Sequence, residues 1–295
     1  MPARRACPSQ NMNGGQIMSI KVTATSTCDL PAELLERYEI ISVPLYVSFG
    51  GKTCRDGVEA GPEDIFRCVE GGGDLPTTAA VNIADYQALF ADLSPKYDHV
   101  IHITIGSEFS CCYQNALVAA EDFPNVHVVD SRNLTAGQGL LVLEAALAAE
   151  RGDSIEDILS MLDSLIGKVD TTFVVDKLDY LAKGGRCSSV VALGANLLKL
   201  KPCIVLADGK MTVGKKYRGA FDKVLPDYVR DQLAGKAVRT DRIIIVHTRC
   251  DPAIPAAVEQ IVREFGFQEV FHKVAGCTIS CHCGPNTLGI LFLRK

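Results

Sequence analysis

Three clusters of polar side chains carry the chemistry that this sequence offers. The first is Pro76-Thr77-Thr78-Ala79-Ala80-Val81-Asn82, a polar loop opening a helical pattern. The second is Gly106-Ser107-Glu108-Phe109-Ser110-Cys111-Cys112-Tyr113-Gln114, where an apolar strand ends and Ser110 stands at a helix N-cap position. The third is Ser280-Cys281-His282-Cys283-Gly284-Pro285-Asn286-Thr287-Leu288-Gly289, which sets a histidine in a Gly/Pro-rich turn. Hydroxyls and one imidazole form a donor set without fixed charge. Beside the free N–H groups of a helix N-terminus, such a set suits one carboxylate better than a multiply charged phosphate. Each residue also has a plainer reading: Ser110 and Thr78 as helix caps, His282 as a satisfied core histidine.

Competing motifs are weaker. Gly209 to Lys216 matches the first seven positions of a phosphate loop, but Lys216 replaces the hydroxyl that would hold magnesium. No G-x-S-x-G elbow occurs, and Gly137-x-Gly139 lacks the third glycine of a dinucleotide fingerprint. Ser110 and His282 could still serve an acyl-transfer or ester-hydrolysis site, since triads recur on unrelated folds. Cys277, Cys281, His282 and Cys283 raise a third reading, a thiol or metal sensor. In an extended stretch Cys281 and Cys283 would face away from His282, so no metal is expected.

The elements that must position these clusters alternate between short strands and helices. Strands are expected at Lys21–Thr25, His99–Ile105 and Val126–Asp130, and helices at Ile83–Leu93, Cys111–Glu121 and Ala136–Arg151. Asp29 is expected to cap a helix running through Tyr38, and Gly50-Gly51 to turn a hairpin. This rhythm argues for a parallel sheet with helices on its faces. After Arg151 the pattern changes, and the domain boundary is expected near Gly167–Asp170. Helices are expected at Ser154–Ile166, Leu178–Lys183, Val190–Leu198, Arg218–Leu233 and Ala253–Phe265. Strands are expected at Thr172–Val175, Cys203–Ala207, Met211–Gly214, Arg242–Thr248, Val270–Val274 and Leu288–Leu293, with Asp208-Gly209 as a hairpin turn. The fold class is therefore α/β with two domains: a disordered extension over 1–18, an N-terminal parallel-sheet α/β domain over 19–168, and a C-terminal α+β domain over 169–295.

Composition narrows the function. The chain has 295 residues, 47% of them hydrophobic, enough apolar material for a large core. A net charge of −5 and 6% aromatic residues weigh against a nucleic-acid binder. No run reaches the roughly 20 apolar residues of a membrane span. The first 17 residues lack an apolar signal core, so a cytoplasmic location and reduced thiols are expected for most of the 12 cysteines.

Several segments in order resemble the DegV family, whose members include fatty-acid-binding subunits of bacterial fatty acid kinase. Ser26-Thr27-Cys28-Asp29-Leu30-Pro31 is similar to the opening D-S-T-x-D-L-P, with Thr25 in place of the first Asp. Thr78 to Asn82 resembles the family's threonine loop, and Ser110-Cys111-Cys112-Tyr113-Gln114 its S-G-T-Y-Q. Val129-Asp130-Ser131, Leu178 to Arg186, Lys201-Pro202 and His282-Cys283-Gly284-Pro285 follow in family order. The resemblance spans about Ile20 to Arg294. It implies a buried long acyl chain, palmitate-like, in a tunnel between or within the domains, with its carboxylate at the domain junction. By position, Thr78, Ser110 and His282 would bind the carboxylate. Arg218, Arg186, Cys111 and Asn82 would lie near the head group or contact a kinase. Catalysis would belong to the kinase subunit, the protein itself being a carrier with no cofactor. Cys111 and Cys112 depart from the usual Gly and Thr.

Overall fold

The computed structural model describes residues 18–191 and 200–295. The first half contains β1 (Ile20–Thr25), a 3-10 turn (Ser26–Cys28), α1 (Ala32–Arg37), β2 (Ile41–Val43), β3 (Tyr46–Phe49) and β4 (Lys52–Arg55). It continues through α2 (Pro62–Glu70), β5 (Thr77–Ala79), α3 (Ile83–Leu93), β6 (His99–Thr104), α4 (Cys112–Ala120), β7 (Val126–Asp130) and α5 (Thr135–Arg151). Next come α6 (Ile155–Ile166), β8 (Val169–Val175), α7 (Asp179–Gly184), α8 (Ser188–Val191), β9 (Leu200–Ala207) and β10 (Lys210–Arg218). The chain closes with α9 (Phe221–Leu233), β11 (Val238–Thr248), α10 (Ala253–Glu264), β12 (Glu269–Val274), α11 (Cys277–Cys283) and β13 (Thr287–Arg294).

A parallel sheet of order β2-β1-β6-β7 forms the first layer. A six-stranded sheet, β10-β9-β8-β13-β11-β12, forms the second, antiparallel except at the β11–β12 pair. The small sheet β4-β3-β5 flanks them. The fold class is thus α/β, with a parallel-sheet N-terminal part and an α+β C-terminal part.

α5 explains how the two large sheets are joined. It is apolar around most of its circumference, as a helix buried on both sides must be. It packs on β1 and β6 on one side and on β8, β11 and β13 on the other. Leu140, Leu141 and Val142 are fully buried in a core running from Val22 and Ile101 to Ile244 and Leu291. Each such side chain contributes about 1.5–3 kcal/mol by burial. Glu144 interrupts the apolar surface, and Arg239 and Arg242 meet its carboxylate at 2.9 and 2.7 Å.

Several local expectations are corrected. Asp29 does not cap α1; it lies in the left-handed region with φ 44°, and Pro31 holds the cap position. Thr77–Ala79 is a strand pairing with β3 rather than a loop. Ser110 precedes the cap residue of α4, which is Cys111. Arg218 ends strand β10 instead of opening α9, because β10 pairs with β9 as far as Leu200. The segment around His282 is helical rather than extended, although its Cys, Thr, Ile and Ser are weak helix formers. Two elements lie outside the expected set: β2, and α2 (Pro62–Glu70), which is begun by Pro62 and by Asp64 accepting from the Gly61 N–H at 2.8 Å. The expected extension at 1–18 and the helix at Val190–Leu198 lie largely outside the described residues.

Thr25 is a buried junction. Its hydroxyl oxygen accepts from the Ile105 N–H at 2.9 Å and from Gln138 Nε2 at 2.8 Å. It also shares a 2.8 Å bond with the Thr27 hydroxyl. These bonds tie β1, the end of β6 and α5 together.

Candidate functional site

A cavity of about 380 Å3 opens where the three sheets meet, within the roughly 300–1,000 Å3 of small-molecule sites. The loop after β6 supplies Ser107 to Cys111, so the parallel sheet offers its carboxyl edge, the usual ligand side of such sheets. β5 contributes Thr78, α11 contributes Thr278, Ile279, His282 and Cys283, and Arg186 follows α7. Leu45, Ile105, Leu134, Phe173, Leu181 and Met211 complete a largely apolar wall.

Polar groups interrupt that wall, and two of them meet. Thr78 Oγ1 lies 2.9 Å from His282 Nε2. Burial, and then the nearby Arg186 charge, push the His282 pKa down to about 4, so the ring is neutral at pH 7. Its Nδ1 is buried without a partner and faces Gly184, where any Cβ would run into the ring. With the proton on Nε2, His282 donates to Thr78 and leaves the threonine hydroxyl free to donate elsewhere. The Ser110 hydroxyl donates to Cys112 Sγ at 3.2 Å and accepts from the Cys112 N–H at 3.3 Å. Ser110 and His282 therefore do not form the nucleophile–base bond of an acyl-transfer site.

The structure brings Thr78, Ser110, Cys111, Arg186 and His282 to one cavity. Arg186 is exposed and donates to the Gly184 carbonyl at 2.8 Å. Asn82 and Arg218 are not on its wall. Asn82 caps α3, accepting from the Asp85 N–H at 2.9 Å, and Arg218 is exposed at the end of edge strand β10. The apolar lining escaped sequence reasoning, because Leu134, Phe173 and Ile279 look like any other core residues.

Behind Leu134, Phe173, Ile279 and Cys283, which border both spaces, lies a further void of about 20 Å3. Its threonines spend their hydroxyls elsewhere: Thr171 on Asn133 at 2.7 Å, and Thr172 on Tyr228 at 2.9 Å. Apolar surface thus continues inward from the main cavity. Cys277, Cys281 and Cys283 are buried thiols, pushed above their ordinary pKa by burial. Among the described residues no three His, Cys, Asp or Glu side chains converge to hold a metal ion, and no helix is long and apolar enough to cross a membrane.

Comparison with known proteins places this architecture in a family. A relative from Caldanaerobacter subterraneus, a DegV domain-containing protein, is 32% identical over 94% of this chain and 99% of its own. A fatty-acid-binding DegV family protein of Thermus thermophilus superposes with a TM-score of 0.85 at 32% identity, covering 94% of this chain and 100% of that one. A stearic-acid-binding protein of Eubacterium ventriosum gives a TM-score of 0.80 at 29% identity, covering 94% and 98%. A family model described as "Uncharacterised protein, DegV family" matches residues 19–295. The chain belongs to the DegV family.

Proposed function

We propose that this protein binds a long-chain fatty acid, with the acyl chain in the cavity and the carboxylate against Thr78, Ser110 and His282. The observation that carries the reading is the Thr78–His282 pair set into a largely apolar wall. A buried carboxylate without donors is very costly. The Thr78 hydroxyl, which the His282 donation leaves free to donate, offsets that cost without an opposing charge. The chain supplies the driving force: each buried methylene is worth about 0.8 kcal/mol, so a palmitate-like chain yields roughly 11 kcal/mol before the costs of ordering. Binding of fatty acids by related proteins supports the same reading.

The finer part of the proposal concerns a partner. Thr78, Ser110 and exposed Arg186 all line the cavity. We infer that the held carboxylate is presented there to a fatty acid kinase subunit, which phosphorylates it. On this reading the protein is a cytoplasmic carrier without a catalytic group of its own, and exposed Arg218 belongs to the kinase-facing surface. An N-terminal unit of 19–168 and a C-terminal unit of 169–295 would then meet at the head group.

Denaturing extraction of the purified protein, followed by mass spectrometry, tests the binding. A long-chain fatty acid near one per chain is expected, displaced by labelled palmitate. Extraction of none, with no uptake of labelled palmitate, would overturn it. Incubation with the kinase, ATP and loaded protein tests the presentation, and acyl phosphate is the expected product.

A further inference from the structure

α11 carries His282, and its first turn is gripped by two buried carboxylates from far away in the chain. Asp29 Oδ1 accepts the N–H of Gly276 at 2.8 Å. Asp56 Oδ1 accepts the N–H of Cys277 at 2.8 Å, and its Oδ2 accepts the N–H and the hydroxyl of Thr278 at 3.1 and 2.7 Å. Each carboxylate is itself fixed. The Thr135 hydroxyl donates to Asp29 Oδ2 at 2.6 Å, and the Ser26 hydroxyl to Asp56 Oδ2 at 3.2 Å. Both acids are 3% exposed. A Cβ on Gly276 would lie only 3.3 and 3.2 Å from their oxygens, so both close on the same point of backbone.

These bonds satisfy N–H groups that a helix start leaves unpaired. Neither acid lines the cavity, yet Thr278, which Asp56 holds, does. A helix of seven residues has few bonds of its own to fix its height and rotation.

We propose that Asp29 and Asp56 are positioning residues for the head-group site: they set α11 so that His282 Nε2 reaches Thr78. The proposal rests on the fatty-acid reading for its consequence and adds residues that touch no ligand.

Two measurements test it. The first needs no ligand: NMR titration of the His282 imidazole. The wild-type ring is expected to titrate at about 4. In Asp56→Ala its midpoint should move up toward the ordinary histidine value as the ring leaves its buried seat. Should that variant not fold, Asp56→Asn, which keeps one acceptor, should give a smaller shift in the same direction. A folded variant of either kind with the wild-type midpoint overturns the proposal.

The second measurement compares palmitate with methyl palmitate. Asp56→Asn should lose about tenfold of the preference for the acid, the worth of one hydrogen bond, with the ester bound as before. Equal weakening of both ligands would mean a merely structural role and would overturn the proposal. If the wild-type protein binds neither, the fatty-acid reading fails, and the imidazole titration, run on Asp56→Asn and on Asp29→Asn, still decides whether the two acids position His282.

Discussion

Thr78 and His282 are 204 positions apart in the chain, yet Thr78 Oγ1 and His282 Nε2 meet at 2.9 Å on the cavity wall. One stands on a short strand of the small sheet, the other on a helix leading into the six-stranded sheet. The bond therefore joins two segments far apart in the chain at the cavity wall.

Thr78→Val keeps the shape of the side chain and removes its donor. Loss of a hydrogen bond to a charged group costs about 1.5–3 kcal/mol, or roughly 10- to 150-fold in affinity. Thr78→Ser should stay close to wild type. Calorimetry with palmitate checks both variants; equal binding by the valine variant would remove Thr78 from the site.

Gly184→Ala should act on His282 without touching the cavity wall elsewhere. Alanine in a helix ordinarily stabilises by about 0.5–1 kcal/mol over glycine. Here the new methyl runs into the His282 ring, so the ring must move. The expected outcome is lost acid-over-ester preference and no gain in thermal stability. A stabilised variant with intact preference would contradict the packing described.

Asp29 gives a pH signature. Burial, reinforced by the Asp56 charge, raises its carboxyl from 3.8 to about 7, against the pull of Thr135 and Gly276. The native state therefore favours the protonated acid. That contribution is fully present below about pH 4 and is lost as pH rises toward 7, on the order of 4 kcal/mol in all. Asp29→Asn mimics the protonated form and keeps an acceptor for Gly276. Urea midpoints from pH 4 to 8 should show the wild type losing stability relative to this variant as pH rises; parallel curves would contradict the shift.

Ile279 borders both the cavity and the void behind it. Ile279→Phe should fill the inner end and shorten the chain that fits. Excluding two methylenes costs about 1.6 kcal/mol, so affinity for C16 and C18 acids should fall by roughly tenfold or more while shorter acids bind as before. A uniform loss across chain lengths would place the acyl chain elsewhere.

Much of the frame was legible in the sequence. Ile83–Leu93 and Val126–Asp130 appear with the bounds that periodicity predicts, because strong apolar spacing and clear breaks at Asn82 and Ser131 define them. Thr78, Ser110 and His282 line one cavity, a grouping that the family resemblance implies and that residue types alone do not fix. What failed was governed by tertiary context. α11 is helical because Asp29 and Asp56 satisfy its first turn from across the fold, which no local propensity records. Asp29 looked like a helix cap because it precedes Leu30-Pro31, but its carboxylate serves α11 instead. Arg218 and Asn82 stand near the motifs in sequence and away from the cavity wall in space.

The most direct test is the NMR signal of carboxyl-labelled palmitate bound to the delipidated protein. One sharp bound resonance is expected, distinct from free and aggregated acid. It should shift or vanish in Thr78→Val and in His282→Gln. A carboxyl carbon with only the free or micellar shift, indifferent to both substitutions, would contradict a fatty acid held at Thr78 and His282.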